Sequence, residues 1–191
     1  MLKQKTNCFQ GLIREVKALK KYHNPLPLFE DLHIDSLDGE YEFTTSIKTL
    51  HLVSRSIENT LKLHKGKCVL YSGFQILSHF AGYVDRYKQL ASYAKDIFVI
   101  GVADTKIGHI ADNVHIITKH AHIVRDNWFS IISGGNIHVS LIAEELPIPG
   151  AHNYDGFYSD SNVVAENAIR KLNESKVLST EVEYGEQTTL F

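Results

Sequence analysis

The sequence is poor in cysteine. Cys8 and Cys68 are the only two, far apart in a chain of 191 residues. They cannot build a disulfide framework, and they supply no C-x-x-C half of a zinc site, which takes about four ligands. That usage predicts a reducing, cytoplasmic setting. Long apolar runs are missing too. Nothing approaches the roughly 20 residues that cross a bilayer, and the opening MLKQKTNCFQ lacks the apolar segment of a secretory signal. Neither sign of charge dominates. A formal charge of -2 makes no basic field for nucleic acid or an anionic membrane, so neither is an expected partner. The one local group, Lys17, Lys20 and Lys21, reads as the wet face of a helix. The phosphate-binding patterns G-x-G-x-x-G and G-x-x-x-x-G-K-S/T do not occur, nor do H-E-x-x-H and G-x-S-x-G.

What is present has the balance of an ordinary globular domain, 43 % hydrophobic and 22 % charged, and is long enough to bury a sizeable core. Phe9, Leu12, Ile13, Val16 and Leu19 make a helical stripe over about residues 5–21, stopped by NPLP at 24–27. Residues 28–43 read as irregular and acidic. A second helix is predicted from Thr44 or Thr45 to just before Gly66, with Glu58 pairing with Lys62 at i, i+4. A short strand follows at 68–71. Residues 78–94 carry Phe80, Tyr83, Val84, Tyr87, Leu90, Ala91 and Ala94 on one face of a four-turn helix, the clearest period in the chain. IFVIGV at 97–102 has the unbroken apolarity of a strand covered on both faces. Further strands are expected at 114–118, 128–133 and 155–159, and a last helix at 161–173.

Residues 137–146, IHVSLIAEEL, fit both periods. They are assigned to a helix, because Gly134-Gly135-Asn136 offers a start and Pro147 a stop. The expected architecture is α/β: one domain with a mixed, largely parallel sheet of four to five strands flanked by helices, plus an N-terminal helical lead-in. The expected units are a lead-in over 1–44, the domain over 45–173 and a loose tail over 174–191.

The stretch VLYSGFQ at 69–75 empties a strand into Ser72, Gly73, Phe74 and Gln75. Glycine admits a close approach, Ser72 and Gln75 offer hydrogen bonds, Phe74 offers a stacking face, and the next helix begins with free N–H groups. That suits a small polar ligand at the carboxyl end of a strand. The same residues also suit a plain turn that caps the core, and on their own they favour that reading. Of eleven histidines, His109, His115, His120 and His122 lie in one stretch, and His120 and His122 would share a face of an extended segment. A third ligand at metal spacing is missing. Nucleophilic chemistry would need a base beside Ser72 or Asp104, and none is evident. Glu144 and Glu145, adjacent on a helix, would diverge by about 100°. Trp128, the only tryptophan, opens a strand as an anchor or a stacking surface.

Taken in order, LVSRSIE at 52–58, VLYSGFQ with His79-Phe80 behind it, RYKQLA at 86–91, IFVIGV, WFSII at 128–132, LIAEEL at 141–146 and GFYSDSNVV at 156–164 resemble the DICT sensory domain, found with diguanylate cyclases and two-component proteins. The resemblance implies a non-catalytic signal-input module with a proposed link to light. It implies a message passed to a separate kinase, cyclase or transcription regulator. Gly73, Phe74, Gln75, Phe80, Arg86, Tyr87 and Trp128 match its motif positions, and with Ser72 they form the expected ligand-binding set. The residues name no cofactor, no catalytic group and no metal ligand. A homodimer through the first helix stays open. The alternatives are a small α/β hydrolase or transferase using the 72–75 loop, and a histidine-rich metal-binding module.

Overall fold

The fold comes from a computed structural model, which describes residues 7–18, 24–25, 40–148 and 152–178. The lead-in helix, α1, spans Gln10–Ala18. A two-residue piece, β1 (Asn24–Pro25), precedes β2 (Glu40–Ser46) and the long helix α2 (Ile47–His64). Then come β3 (Cys68–Ile76), α3 (Leu77–Ala81), α4 (Val84–Ala91), β4 (Asp96–Val102) and β5 (Val114–Ile117). After a 3-10 turn at Ala121–Val124 the chain forms β6 (Asn127–Gly134), β7 (Ile137–Glu145), β8 (Asn153–Ser159) and α5 (Asn162–Glu174).

All strands among the described residues join one sheet in the order β1-β2-β8-β7-β6-β3-β4-β5. This corrects the expected sheet in size and direction. Seven full strands and the edge piece β1 replace four to five. The centre is antiparallel, with β2–β8, β8–β7, β7–β6 and β6–β3 all paired that way. Parallel pairing is confined to β3–β4–β5 and to β1–β2. Two of the missed strands explain the difference. Residues 40–46 pair with β8 instead of forming an irregular lead-in, so Thr44 and Thr45 are strand residues and the helix begins at Ile47.

Residues 137–145 are β7, not a helix. Gly134, Gly135 and Asn136 have φ of 121°, 60° and 67°, the left-handed angles of a hairpin turn rather than a helix start. A side chain on Gly134 would bring its Cβ within 2.5 Å of the Lys67 carbonyl. The ambiguous pattern has a physical cause: β7 lies mid-sheet between β6 and β8 and is buried on both faces, so apolar residues fall at odd and even positions alike. The expected helix 78–94 is also interrupted. It divides into α3 and α4 at Gly82-Tyr83.

Helices cover the sheet in two layers. On one face α2, α3 and α4 bury Leu50, Ile57, Leu61, Phe80, Tyr87 and Leu90 against Leu70, Phe74, Trp128, Ile132 and Leu141. On the other, α1 and α5 bury Leu12, Ile13, Ala168 and Leu172 against Phe129, Ile131, Ile142 and Phe157. The lead-in helix therefore packs on its own domain. No helix among the described residues is long and apolar enough to cross a membrane. Beyond α5, Val177 is still buried; the rest of the expected tail, 179–191, lies outside the described residues, as do 1–6, 19–23 (with Leu19, Lys20 and Lys21) and 26–39 of the lead-in.

Candidate functional site

The quoted stretch VLYSGFQ turns out to be strand almost throughout. β3 continues to Ile76, so residues 72–75 are not a loop. Strand alternation then sorts them. Ser72 and Phe74 point toward α2 and α4, where both are buried. Gly73 points to the opposite face, and a Cβ there would sit 2.1 Å from the Phe129 ring directly across on β6. The glycine is needed for that ring and for no other visible reason.

Beneath α2 and α4 the predicted residues form one sealed layer. Phe74 is its hub, with ring centroids 5.0 Å from Phe80, 5.7 Å from Tyr87 and 5.9 Å from Trp128. Trp128 Nε1 donates to Ser54 Oγ at 2.8 Å. The Tyr87 phenol oxygen lies 2.9 Å from Glu58 Oε1 and 2.8 Å from Ser72 Oγ. It has one proton for two neighbours, so when it donates to the carboxylate the serine donates in return. Arg86 pairs through Nε with Glu58 Oε2 and donates Nη2 to the Arg55 carbonyl at 2.9 Å. Glu58 thus pairs with Arg86, not with Lys62 as its helical spacing suggests. Burial pushes the Glu58 carboxyl above its ordinary range, opposed by Arg86. It pushes the Tyr87 phenol well up, and Glu58 adds to that.

The opening into this layer is small. A cavity of about 10 Å³ lies between His51, Ser54, Glu58, Phe74, Tyr83 and Trp128, room for about one water. His51 stands edge-on to Trp128 at 4.6 Å, and its Nδ1 is 2.8 Å from the Tyr83 hydroxyl. Burial lowers the His51 pKa from 6.5, aided by Arg55 and His79.

Gln75 is the exception in the predicted set. Its φ of 56° is left-handed, unusual for a residue with a side chain, and β3 slips against β4 between Gly73 and Ile76. The turn sends its amide to the end of the sheet. There Nε2 donates to Glu145 Oε2 at 2.8 Å, and Oε1 accepts from the Tyr154 hydroxyl at 3.2 Å. Burial and the Glu145 charge push the Tyr154 phenol up to about 12. Glu145 Oε1 lies 2.8 Å from His152 Nδ1. Over this group opens a cleft of about 310 Å³ lined by Gln75, Ile76, His79, Arg125, Asp126 and Glu145. It sits at the carboxyl end of β3, where ligands of α/β sheets gather.

Sequence reasoning missed Glu58, Arg125, Asp126 and Glu145 as members of these groups. For Glu145 the signal was present but misassigned: on a strand, adjacent residues point to opposite faces, so Glu144 reaches Asn7 Nδ2 at 3.2 Å while Glu145 enters the cleft.

The two alternative chemistries find little support. Ser72 is 1 % exposed and its hydroxyl is engaged, out of a substrate's reach. Asp104 accepts from the Ser78 backbone N–H at 2.8 Å. His120 caps the 3-10 turn and His122 lies within it, so they do not share an extended face; their ring centroids are 6.3 Å apart. Among the described residues no group of three or more His, Cys, Asp or Glu can hold a metal ion.

No curated protein and no solved structure matches the chain. The family model described as the sensory domain in diguanylate cyclases and two-component systems matches residues 28–146, more than half of the sequence. That span contains the aromatic layer, β3 with its bulge, and all six residues of the cleft. The chain belongs to the DICT family of sensory domains.

Proposed function

We propose that this sensory domain is a non-catalytic, cytoplasmic signal-input module. It reads a small polar ligand in the cleft beside Gln75 and passes a conformational bias to a separate kinase, cyclase or transcription regulator. The observation that carries this reading is Gln75 itself. It is a motif-matching residue held at a left-handed φ, and such outliers persist where the surroundings fix them and cluster at ligand sites. Its side chain touches Glu145 at the cleft, and its backbone is continuous with Phe74 at the centre of the aromatic layer. A ligand that shifts Gln75 therefore acts on the packing of α2 and α4. The bias it exerts is limited to its difference in affinity for the two arrangements.

The size of the spaces favours a small ligand over a light-absorbing group within the predicted set: a cavity of about 10 Å³ among the aromatic rings admits no chromophore. The test is native mass spectrometry of protein purified from its own host. A small molecule bound to the wild type and lost from Gln75→Ala, with the variant still folded, is the expected result. A bound molecule retained by Gln75→Ala and lost on altering Trp128 or His51 overturns the assignment to the cleft.

A further inference from the structure

The motif LVSRSIE at 52–58 is spent mostly inside the fold. Val53 and Ile57 are buried, Ser54 accepts from Trp128, and Glu58 holds Arg86 and Tyr87. Arg55 is its one exposed residue, and its guanidinium makes no hydrogen bond or ion pair with another described residue. Packing does not account for it. The side chain lines the mouth of the small cavity, beside His51 and Tyr83. His51 and Arg55 lie four apart on α2 and so share a face. Tyr83 stands at the break between α3 and α4, with its ring stacked on His51 at 5.6 Å.

The charges at this mouth are of one sign. Burial, then Arg55, then His79 of α3 all oppose a proton on His51. The only carboxylate lining the cavity is Glu58, whose two oxygens are taken by Arg86 and Tyr87. Asp104, the acid that senses His79, is held by the Ser78 N–H. Like charges gathered on one helix face without a free counter-charge are unfavourable until an anion joins them. A guanidinium fork and a hydroxyl suit the oxygens of phosphate or sulfate. Tyr83 becomes available through His51. While the ring is neutral with Nδ1 as acceptor, the Tyr83 hydroxyl donates to it at 2.8 Å. A protonated ring donates from Nδ1 instead, and the hydroxyl proton is freed to point outward.

We propose that Arg55, Tyr83 and His51 bind a tetrahedral oxyanion at the mouth of this cavity, a phosphate or sulfate, free or carried on a small molecule, and that one proton enters His51 with it. The ion stays at the mouth, because the interior space of about 10 Å³ holds only a water. The site shares no lining residue with the cleft beside Gln75, so it goes beyond the proposed function and stands or falls separately.

The experiment is a titration of the full-length protein with sodium sulfate, followed by Trp128 fluorescence and calorimetry, against sodium chloride at equal ionic strength. Sulfate stays a dianion near neutral pH, so any pH dependence there belongs to the protein. Sulfate should bind more tightly at about pH 6 than at about pH 8, and should move the quenching of Trp128 by protonated His51 to higher pH. Arg55→Gln, a change to an exposed side chain, should weaken binding by about tenfold or more, as expected for a lost charge-assisted pair. His51→Gln should remove the pH dependence. Phosphate and glycerol phosphate are run alongside: tighter binding of glycerol phosphate marks a phosphorylated molecule as the ligand, and equal binding marks the free ion. No binding beyond that of chloride, an Arg55→Gln protein that binds as the wild type does, or an affinity that fails to rise toward acid overturns the proposal. So does sulfate binding that is lost in Gln75→Ala and kept in Arg55→Gln, which would move the ion to the cleft.

Discussion

At the scale of single residues, burial decides what a motif match means. Phe74, Phe80, Tyr87 and Trp128 match family motifs, yet each is at most 4 % exposed. Phe74→Ala should cost about 3–5 kcal/mol in urea unfolding, as for other buried phenylalanines. A loss below about 1 kcal/mol would mean that the ring is not the hub its contacts indicate. Arg86→Ala strands the Glu58 carboxylate in the interior and should cost a similar 3–5 kcal/mol or so near neutral pH. The titration of Glu58 gives a signed test. Its folded-state pKa is raised by burial, so its contribution to stability is fully present below the ordinary value of 4.5 and lost as pH rises through the folded value. The stability of the wild type relative to Glu58→Gln should therefore fall as pH rises above 4.5; a rise would show that Arg86 outweighs burial. His51 has the opposite sign. Its pKa is lowered from 6.5, so the neutral ring's contribution holds above that value and is lost as pH falls through the folded value. Since His51 touches the only tryptophan, acid quenching of fluorescence should have its midpoint below 6.5 and vanish in His51→Gln.

At the scale of elements, legibility followed period and locality. The stripe of α2, the apolar run of β4 and the helix α5 could be read because a single repeat dominates each. β2 could not, although Tyr41 and Phe43 alternate with Glu40 and Glu42, because the run is short and its acids suggest a loop. β7 misled because a strand covered on both faces has no polar side to mark its period. The Glu58–Arg86 pair joins residues 28 apart, and the Gln75–Glu145 bond residues 70 apart; no local spacing announces either. Gly73 was visible as a glycine, but its reason, the Phe129 ring, lay on another strand. Gly73→Ala should cost about 1–3 kcal/mol or more by overpacking, and Phe129→Leu in the same chain should recover part of it. Equal losses with and without Phe129 would place the glycine's role elsewhere.

At the scale of the whole molecule, the α/β class and the family were legible, while the size and direction of the sheet depended on hairpins that sequence period did not resolve. The assembled sheet divides the expected site in two. Six of the eight named residues belong to the packed layer between α2, α4 and the sheet, and Gly73 faces Phe129 on the other side. Gln75 alone turns out to the cleft, where Arg125 and Glu145 arrive from distant strand ends. The proposed function places the ligand at the rim and its response in the adjoining layer.

Hydrogen–deuterium exchange of the protein with its bound small molecule tests that division most directly. Added protection should appear at the end of β3, the start of β6 and the end of β7, with a smaller change in α2 and α4 across Phe74. Protection confined to α1 and α5 on the far face, or conversion of the molecule to a product during the experiment, would contradict the account.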